Sequence, residues 1–448
     1  MIPRVLFYLG YDDDRGGICS FLRALSTAAA PHFEMTLGMN DGARIHRLSL
    51  PVAGFPRIES EMISPRTIMR ARAIARAARE WLRADPRRVF HGCSRAGLLV
   101  ALQLARWGER RAVATVHHYG RHRWFYRHAA RALTPGKRLF FLSPEMSRYY
   151  GLPPQTWDDC LPPCIVPGTR ASCPQNEPPK LFENTKRAGF PRSRGEIIRA
   201  GGIGAIVRWK RWELVLAALA QLPAYIRAQW HFTHIGANDG SEDSIRYERE
   251  LRERTRALNL ETRVTWLGQQ PSSAPLLRET DVLLVPSDNE PFSIARIEAF
   301  DADVPSISAD SGGARDLITT TPPVNGWFFR TGDAADLARA LAHLAETNAL
   351  VQARIDRDSL RRFSADHSAR QHAQVYADLF ESRTSHQALV LPPACENCFV
   401  LPSLSPPHAF THRQVENPDS CSRSAVCGHC NKHSAWIRGM ASLEQRAF

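Results

Sequence analysis

Short apolar runs and amphipathic segments take turns along most of this chain. In residues 1–150, apolar runs at 4–9, 35–38, 88–91, 112–116 and 139–143 predict strands, and helix-period patterns at 17–29, 66–84, 96–107 and 144–150 predict the helices between them. Strands alternating with helices point to βα units around a parallel sheet. Residues 151–195 break the pattern with Pro153-Pro154, Pro162-Pro163 and Pro178-Pro179, and read as an irregular connection. The alternation resumes with strands at 196–201, 230–235, 263–266, 281–285, 304–308 and 327–329. Helical patterns cover 211–222, 243–258, 273–279, 293–302, 313–318, 333–346 and 349–363, with a last one near 366–382. Residues 385–448 turn rich in Pro, Ser, His, Cys and Arg and lose apolar periodicity. The prediction is two doubly wound α/β domains and an appended tail.

Length agrees with that division, since 448 residues exceed one typical core and suit two domains of about 150 to 200 residues. A composition of 44% hydrophobic and 23% charged residues excludes wholesale disorder. No apolar run approaches the roughly 20 residues of a membrane span. The opening Ile2-Pro3-Arg4-Val5-Leu6-Phe7-Tyr8-Leu9-Gly10 turns acidic at Asp12, Asp13 and Asp14, so it reads as a buried strand and its loop rather than a signal peptide. A soluble cytoplasmic protein is expected. Its ten cysteines are read as reduced thiols, because disulfide frameworks belong to short secreted chains.

Charge adds a direction. Residues 1–150 hold 25 Lys+Arg against 11 Asp+Glu, a net of +14, whereas the remainder nets −1. A one-sided positive field favours an anionic partner such as a membrane surface, a phosphorylated acceptor or nucleic acid.

The stretch from Asp281 to Phe300 carries the clearest chemistry. A buried strand ends at Pro286-Ser287, and a short loop with Glu290 feeds a helix that starts near Pro291, Phe292 and Ser293. Ligands of open α/β sheets bind at the carboxyl ends of strands, and a helix N-terminus there attracts phosphate. Glu290 and Glu298 can then accept hydrogen bonds from sugar hydroxyls; the plainer reading makes them a first-turn charge and a solvated residue.

Pro286-Ser287, Glu290-x7-Glu298, Val304-Pro305 and Gly312-Gly313 together resemble the signature of the retaining, nucleotide-sugar-dependent glycosyltransferases of family four, also called glycosyl transferases group 1. Asn325-Gly326-Trp327, Gly332-Asp333 and Val264-Thr-Trp-Leu-Gly268 extend the resemblance, which is strong over 196–345 and looser before. It implies the GT-B fold: a Rossmann-like acceptor domain at 1–150, a connection at 151–195, and a Rossmann-like nucleotide-sugar domain at 196–365. A C-terminal helix at 366–384 would return to the first domain, ahead of the tail at 385–448. It further implies Lys210 and Glu290 as catalytic groups, Glu298 toward the ribose, and His117 near the sugars. Transfer would need no metal or other cofactor, and the donor would be a UDP- or GDP-sugar.

The Gly201-Gly202-Ile203-Gly204 turn leads to Arg208 and Lys210, placing mobile cations where a leaving diphosphate gains charge. The family's arginine after the glycine is replaced by Ala205, and Arg208 is expected to reach the same phosphate. The family often has glycine where Ser293 and Asp303 stand; Asp tolerates a left-handed backbone, so Asp303 is expected to keep the turn. Gly16-Gly17 resembles the loop covering the donor diphosphate. His91 and His118 also end strands, where a lone histidine is more often structural.

On helix 66–84, Arg72, Arg76, Arg79 and Arg83 fall within about 60° of one another, opposite Ile74, Ala78, Trp81 and Leu82. The stripe suits anionic lipid headgroups; the alternative is a solvated face. No recognised nucleic-acid module accompanies it, so nucleic acid is not an expected partner. In the tail, Cys395-x2-Cys398 and Cys427-Gly-His-Cys430 are each shaped like half a zinc ribbon, but a 28-residue gap and little apolar sequence favour a disordered tail. The combined reading is a glycosyltransferase acting on a lipid-linked or polysaccharide acceptor in cell-envelope glycan synthesis, at the cytoplasmic face of the inner membrane. The alternatives are a GT-B scaffold that binds nucleotide or partner without turnover, and a nucleotide-sugar epimerase.

Overall fold

A computed structural model describes residues 2–59, 64–120, 122–133, 138–166, 197–347 and 349–381. Among these residues twelve strands form two parallel sheets. The first holds β1 (Arg4–Tyr8), β2 (Glu34–Asn40), β3 (Val52–Phe55), β4 (Arg88–Gly92), β5 (Ala112–Val116) and β6 (Leu139–Phe141), in the order β3-β2-β1-β4-β5-β6. The second holds β7 (Ile198–Ile203), β8 (Trp230–Ile235), β9 (Val264–Trp266), β10 (Val282–Val285), β11 (Ser306–Ala309) and β12 (Gly326–Phe329), in the order β12-β11-β10-β7-β8-β9. Both are the same doubly wound order, in which the direction of strand addition reverses beside the first strand.

Residues along β1 show why the sheets are covered twice. Val5, Phe7 and Leu9 face one layer, with Phe21, Leu22 and Leu25 of helix Gly17–Ala29 and with Tyr376 and Leu379 of the last helix, Ala365–Glu381. Leu6 and Tyr8 face the other, with Ile74, Ala78 and Leu82 of helix Pro65–Arg83 and with helix Arg95–Arg106. From Val5 onward every side chain of β1 is thus removed from water, which is why it reads as an unbroken apolar run. In the second sheet one face is packed by helices Trp212–Gln221 and Ala334–Glu346, and the other by Leu277, Ala299 and Val304.

The chain crosses between the sheets at two adjacent points. Outgoing Ile165 forms a bridge with returning Ser364: its N–H donates to the Phe363 carbonyl (2.9 Å), and Ala365 N–H donates back to the Ile165 carbonyl (3.0 Å). The described residues all belong to one unit. The Asp316 carboxylate joins its two halves, accepting from the Glu145 amide (2.6 Å) and from the Arg148 guanidinium (2.6 Å).

Several elements differ from the expected pattern. The expected helix at 349–363 is broken into Ala349–Gln352, Arg357–Leu360 and a 3-10 turn, because Arg354 N–H leaves the helix ladder for the Val324 carbonyl (2.8 Å) and Asp356 starts a new helix as its cap. Edge strand β3 and helix Arg123–Leu133 are additional. Cys19, Cys93, Cys160 and Cys164 are free and buried, while the cysteine pairs of the tail lie outside the described residues.

Helix Ala365–Glu381 docks through buried histidines. His91 bonds Tyr376 Oη (2.7 Å) at Nδ1 and Thr115 Oγ1 (2.8 Å) at Nε2, and stacks on Phe7. His372 Nδ1 donates to the Ser368 carbonyl (2.8 Å), and its ring lies 5.7 Å from that of His91. Burial pushes the His372 pKa down to about 4 and that of His91 well below its ordinary value. The unfolded chain therefore takes up these protons first. Stability is complete above about pH 6.5 and falls with acid toward pH 4. His372→Phe keeps the ring packing but removes one site, so its stability between pH 6 and 5 should fall less steeply than wild type, by up to about 1.4 kcal/mol per pH unit. Urea melts at both pH values measure this; parallel slopes would remove His372 from the acid response.

Candidate active site

The two loops that leave the second sheet at its reversal point meet. After β7 the chain turns at Gly204 (φ +151°), runs through a 3-10 turn at Arg208–Lys210 and enters helix Trp212–Gln221. After β10 it passes Pro286-Ser287 to Glu290. Lys210 Nζ forms an ion pair with the Glu290 carboxylate, and Ser287 Oγ donates to the same oxygen (3.1 Å). Both partners are largely buried, at 15% and 10% side-chain exposure, so the pair is little screened by solvent. The Lys210 ammonium also sits 4.3 Å from the Trp209 ring centroid.

Two glycines let a third loop hold the Glu290 segment. Gly313 N–H donates to the Glu290 carbonyl (3.0 Å), and Gly312 is left-handed at φ +55°. A Cβ on either would run into the carbonyl oxygen of Glu290 or Pro291, so only glycine permits the contact.

Helix Ile294–Asp301 begins at Ser293, whose hydroxyl caps it by accepting from Arg296 N–H (3.3 Å). Ser293 takes the left-handed backbone of a glycine, with φ +72°. Asp303 does likewise at φ +58°, as expected. The Phe292 ring is buried against Phe363 (5.3 Å) and Trp157, which leaves its backbone to border a ligand. Glu298 accepts from Ser273 Oγ (2.7 Å); burial raises its pKa, opposed by that hydrogen bond and by the charge of Arg23 on helix Gly17–Ala29.

Arg208 is not at the Lys210–Glu290 pair. Its guanidinium bonds Asp243 (3.0 Å) and both oxygens of Glu250 (3.0 and 2.8 Å) on helix Glu242–Ala257, and lies over Tyr247. A 3-10 turn advances about 120° per residue, so positions 208 and 210 leave it on different sides.

In the first sheet Gly16 (φ +95°) caps helix Gly17–Ala29, and space for a Cβ is open at both Gly16 and Gly17. His117 follows β5 with a buried, unpartnered Nε2, and burial pulls its pKa down to about 3. His118 bonds Tyr126 Oη (2.8 Å), and His91 is spent on the last helix. Of the arginine stripe, Arg72, Arg76 and Arg83 are exposed, while Arg79 lies back on Trp107 (5.7 Å) and donates to its carbonyl (3.4 Å). Helix Arg123–Leu133 exposes Trp124 beside Arg123, Arg127 and Arg131. Sequence reasoning missed that helix, although Tyr126, Ala129, Ala130 and Leu133 mark its buried side. It also missed Arg296, whose signal was a charge at an inward position between Phe292 and Phe300. Among the described residues no cluster suited to a metal ion occurs.

Residues 195–360 match the family described as glycosyl transferases group 1. A lipopolysaccharide core mannosyltransferase of Rhizobium meliloti is 25% identical over 41% of this chain and 51% of its own length. The lipopolysaccharide 1,6-galactosyltransferase of Escherichia coli is 30% identical over 30% of this chain and 34% of its own. The chain thus spans about half the length, or less, of these curated relatives. Among solved structures, Anabaena HepE in complex with UDP and glucose superposes with a TM-score of 0.60 at 17% identity, over 83% of this chain and 99% of that one. Sucrose-phosphate synthase from Thermosynechococcus elongatus gives 0.63 at 19% identity, over 85% and 100%. Those superpositions make the two-sheet architecture the GT-B fold, and within it residues 195–360, which hold the second sheet, are similar to the glycosyl transferases group 1.

Proposed function

We propose that the protein transfers a sugar from a nucleoside-diphosphate donor, a UDP- or GDP-sugar, to a lipid-linked or polysaccharide acceptor of the cell envelope, with retention of configuration. The observation that carries this reading is the Lys210–Glu290 pair at the carboxyl ends of β7 and β10. A diphosphate entering there would draw the Lys210 ammonium from Glu290 and free the carboxylate to orient the sugar hydroxyls. The N-terminus of helix Ile294–Asp301 adds a fixed partial positive charge. As the bond from the anomeric carbon to the diphosphate breaks, Lys210 stabilises the growing negative charge. The acceptor oxygen bonds to the same face, and its proton passes to the departing diphosphate. Gly16 and Gly17 leave room for the phosphates to approach backbone amides, and His117 would act near the sugars. The relatives' lipopolysaccharide transferase activities support an envelope acceptor.

Peripheral membrane contact belongs to the same proposal. The excess charge of +14 on residues 1–150, exposed Arg72, Arg76 and Arg83, and Trp124 among arginines suit an anionic lipid surface. No helix among the described residues is long and apolar enough to cross a membrane.

Two outcomes follow. Lys210→Ala should reduce transfer by about 100-fold or more, read with a donor panel and released nucleotide. Full activity in that variant would remove Lys210 from the chemistry, and absence of turnover in wild type with every donor would favour the non-catalytic scaffold. Replacing Arg72, Arg76 and Arg83 by Gln should weaken sedimentation with phosphatidylglycerol vesicles at low salt, by about 1 kcal/mol for each residue near the surface. Unaltered binding would exclude this helix as the docking face.

A further inference from the structure

Helix Ile294–Asp301 carries a guanidinium where its packing calls for an apolar group. Arg296 is fully buried. Its Nη1 donates to the Phe292 carbonyl (3.1 Å), its Nη2 donates to Ser308 Oγ on β11 (2.9 Å), and its Nε has no partner. Both acceptors are neutral. Among the described residues no carboxylate forms an ion pair with it, and the anion it feels, Glu290, is already engaged by Lys210. Burial lowers its pKa only to about 10, so it stays charged at neutral pH. Lys210, Glu290 and Arg296 together therefore carry a net charge of one proton, next to a helix N-terminus that is itself positive. A buried cation left without a counter-charge is costly to keep.

We propose that Arg296 is a positioning residue for an anionic ligand: held one turn inside the helix, it strengthens binding of a diphosphate at the Lys210–Glu290 loops without touching it. The inference rests on the donor reading above. Two features carry it. The side chain pins the Phe292 carbonyl while its own backbone N–H holds the Ser293 hydroxyl, so the left-handed turn that opens the helix is fixed from both sides. The unpaired charge then completes when the ligand supplies negative charge, in a site where little water screens it.

The test is calorimetric titration of the full-length protein with uridine, UMP and UDP, and with guanosine, GMP and GDP. Wild type is expected to bind one of the two diphosphates. Arg296→Met should weaken that diphosphate about tenfold or more, the monophosphate less and the nucleoside little, and Arg296→Lys should recover most of the loss. If Arg296→Met does not fold, Arg296→Gln, polar but uncharged, should show the same graded loss. An equal loss for nucleoside and diphosphate would reduce Arg296 to a structural role, and unchanged affinity would overturn the inference outright. If wild type binds neither diphosphate, the donor reading itself fails and the inference falls with it.

Discussion

In the second sheet, β10 is laid down beside β7 on the side opposite to β8, and the rest depends on that reversal. Right-handed crossovers send the helix after β7 to one face of the sheet and the helix after β10 to the other. The two connecting loops must therefore part, and the crevice between them is where side chains can face a ligand rather than each other's backbone. Lys210 and Glu290, 80 positions apart in the chain, meet there as a shielded ion pair with Ser287. Gly312-Gly313 closes on the Glu290 loop, and the left-handed Ser293 turns the chain into the helix whose N-terminus faces the same crevice.

Among the described residues the two halves share an apolar cluster, in which Leu142, Met146 and Tyr150 join Phe292, Ile297 and Leu317. Outgoing and returning chain lie side by side at Ile165 and Ser364, and Asp316 bonds the helix Pro144–Tyr149 at one edge. The last helix is tied to the first sheet by His91, Tyr376 and His372, a contact that requires neutral imidazoles. A residue such as Arg23 on the first half can influence Glu298 on the second only while these contacts hold the halves together.

Much of the fold was legible in the sequence because both sheets are buried on both faces, so their strands stand out as apolar runs. Edge strand β3 was not, since Val52 is exposed and Gly54 interrupts its alternation. At the site, the motif around Glu290 and Glu298 and the separate Lys210 were singled out through family resemblance, but their ion pair was not legible, because it joins loops 80 positions apart. Arg208 was misplaced because nearness in sequence says nothing about which side of a 3-10 turn a side chain leaves. Arg296 escaped notice because a charged residue in a helix is ordinarily assigned to water, and only packing shows that this one points inward.

Binding of a nucleoside diphosphate at the Lys210–Glu290 loops is most directly tested by thermal unfolding of the full chain with UDP, GDP, ADP and TDP and their sugars. A ligand at about 100 times its dissociation constant adds about 2.7 kcal/mol, which raises the melting temperature by a few degrees. One nucleotide should stabilise the wild type and do so much less when Lys210 is replaced by Met. No shift with any of the eight ligand types, or the same shift in the variant, would contradict a donor site at this crevice.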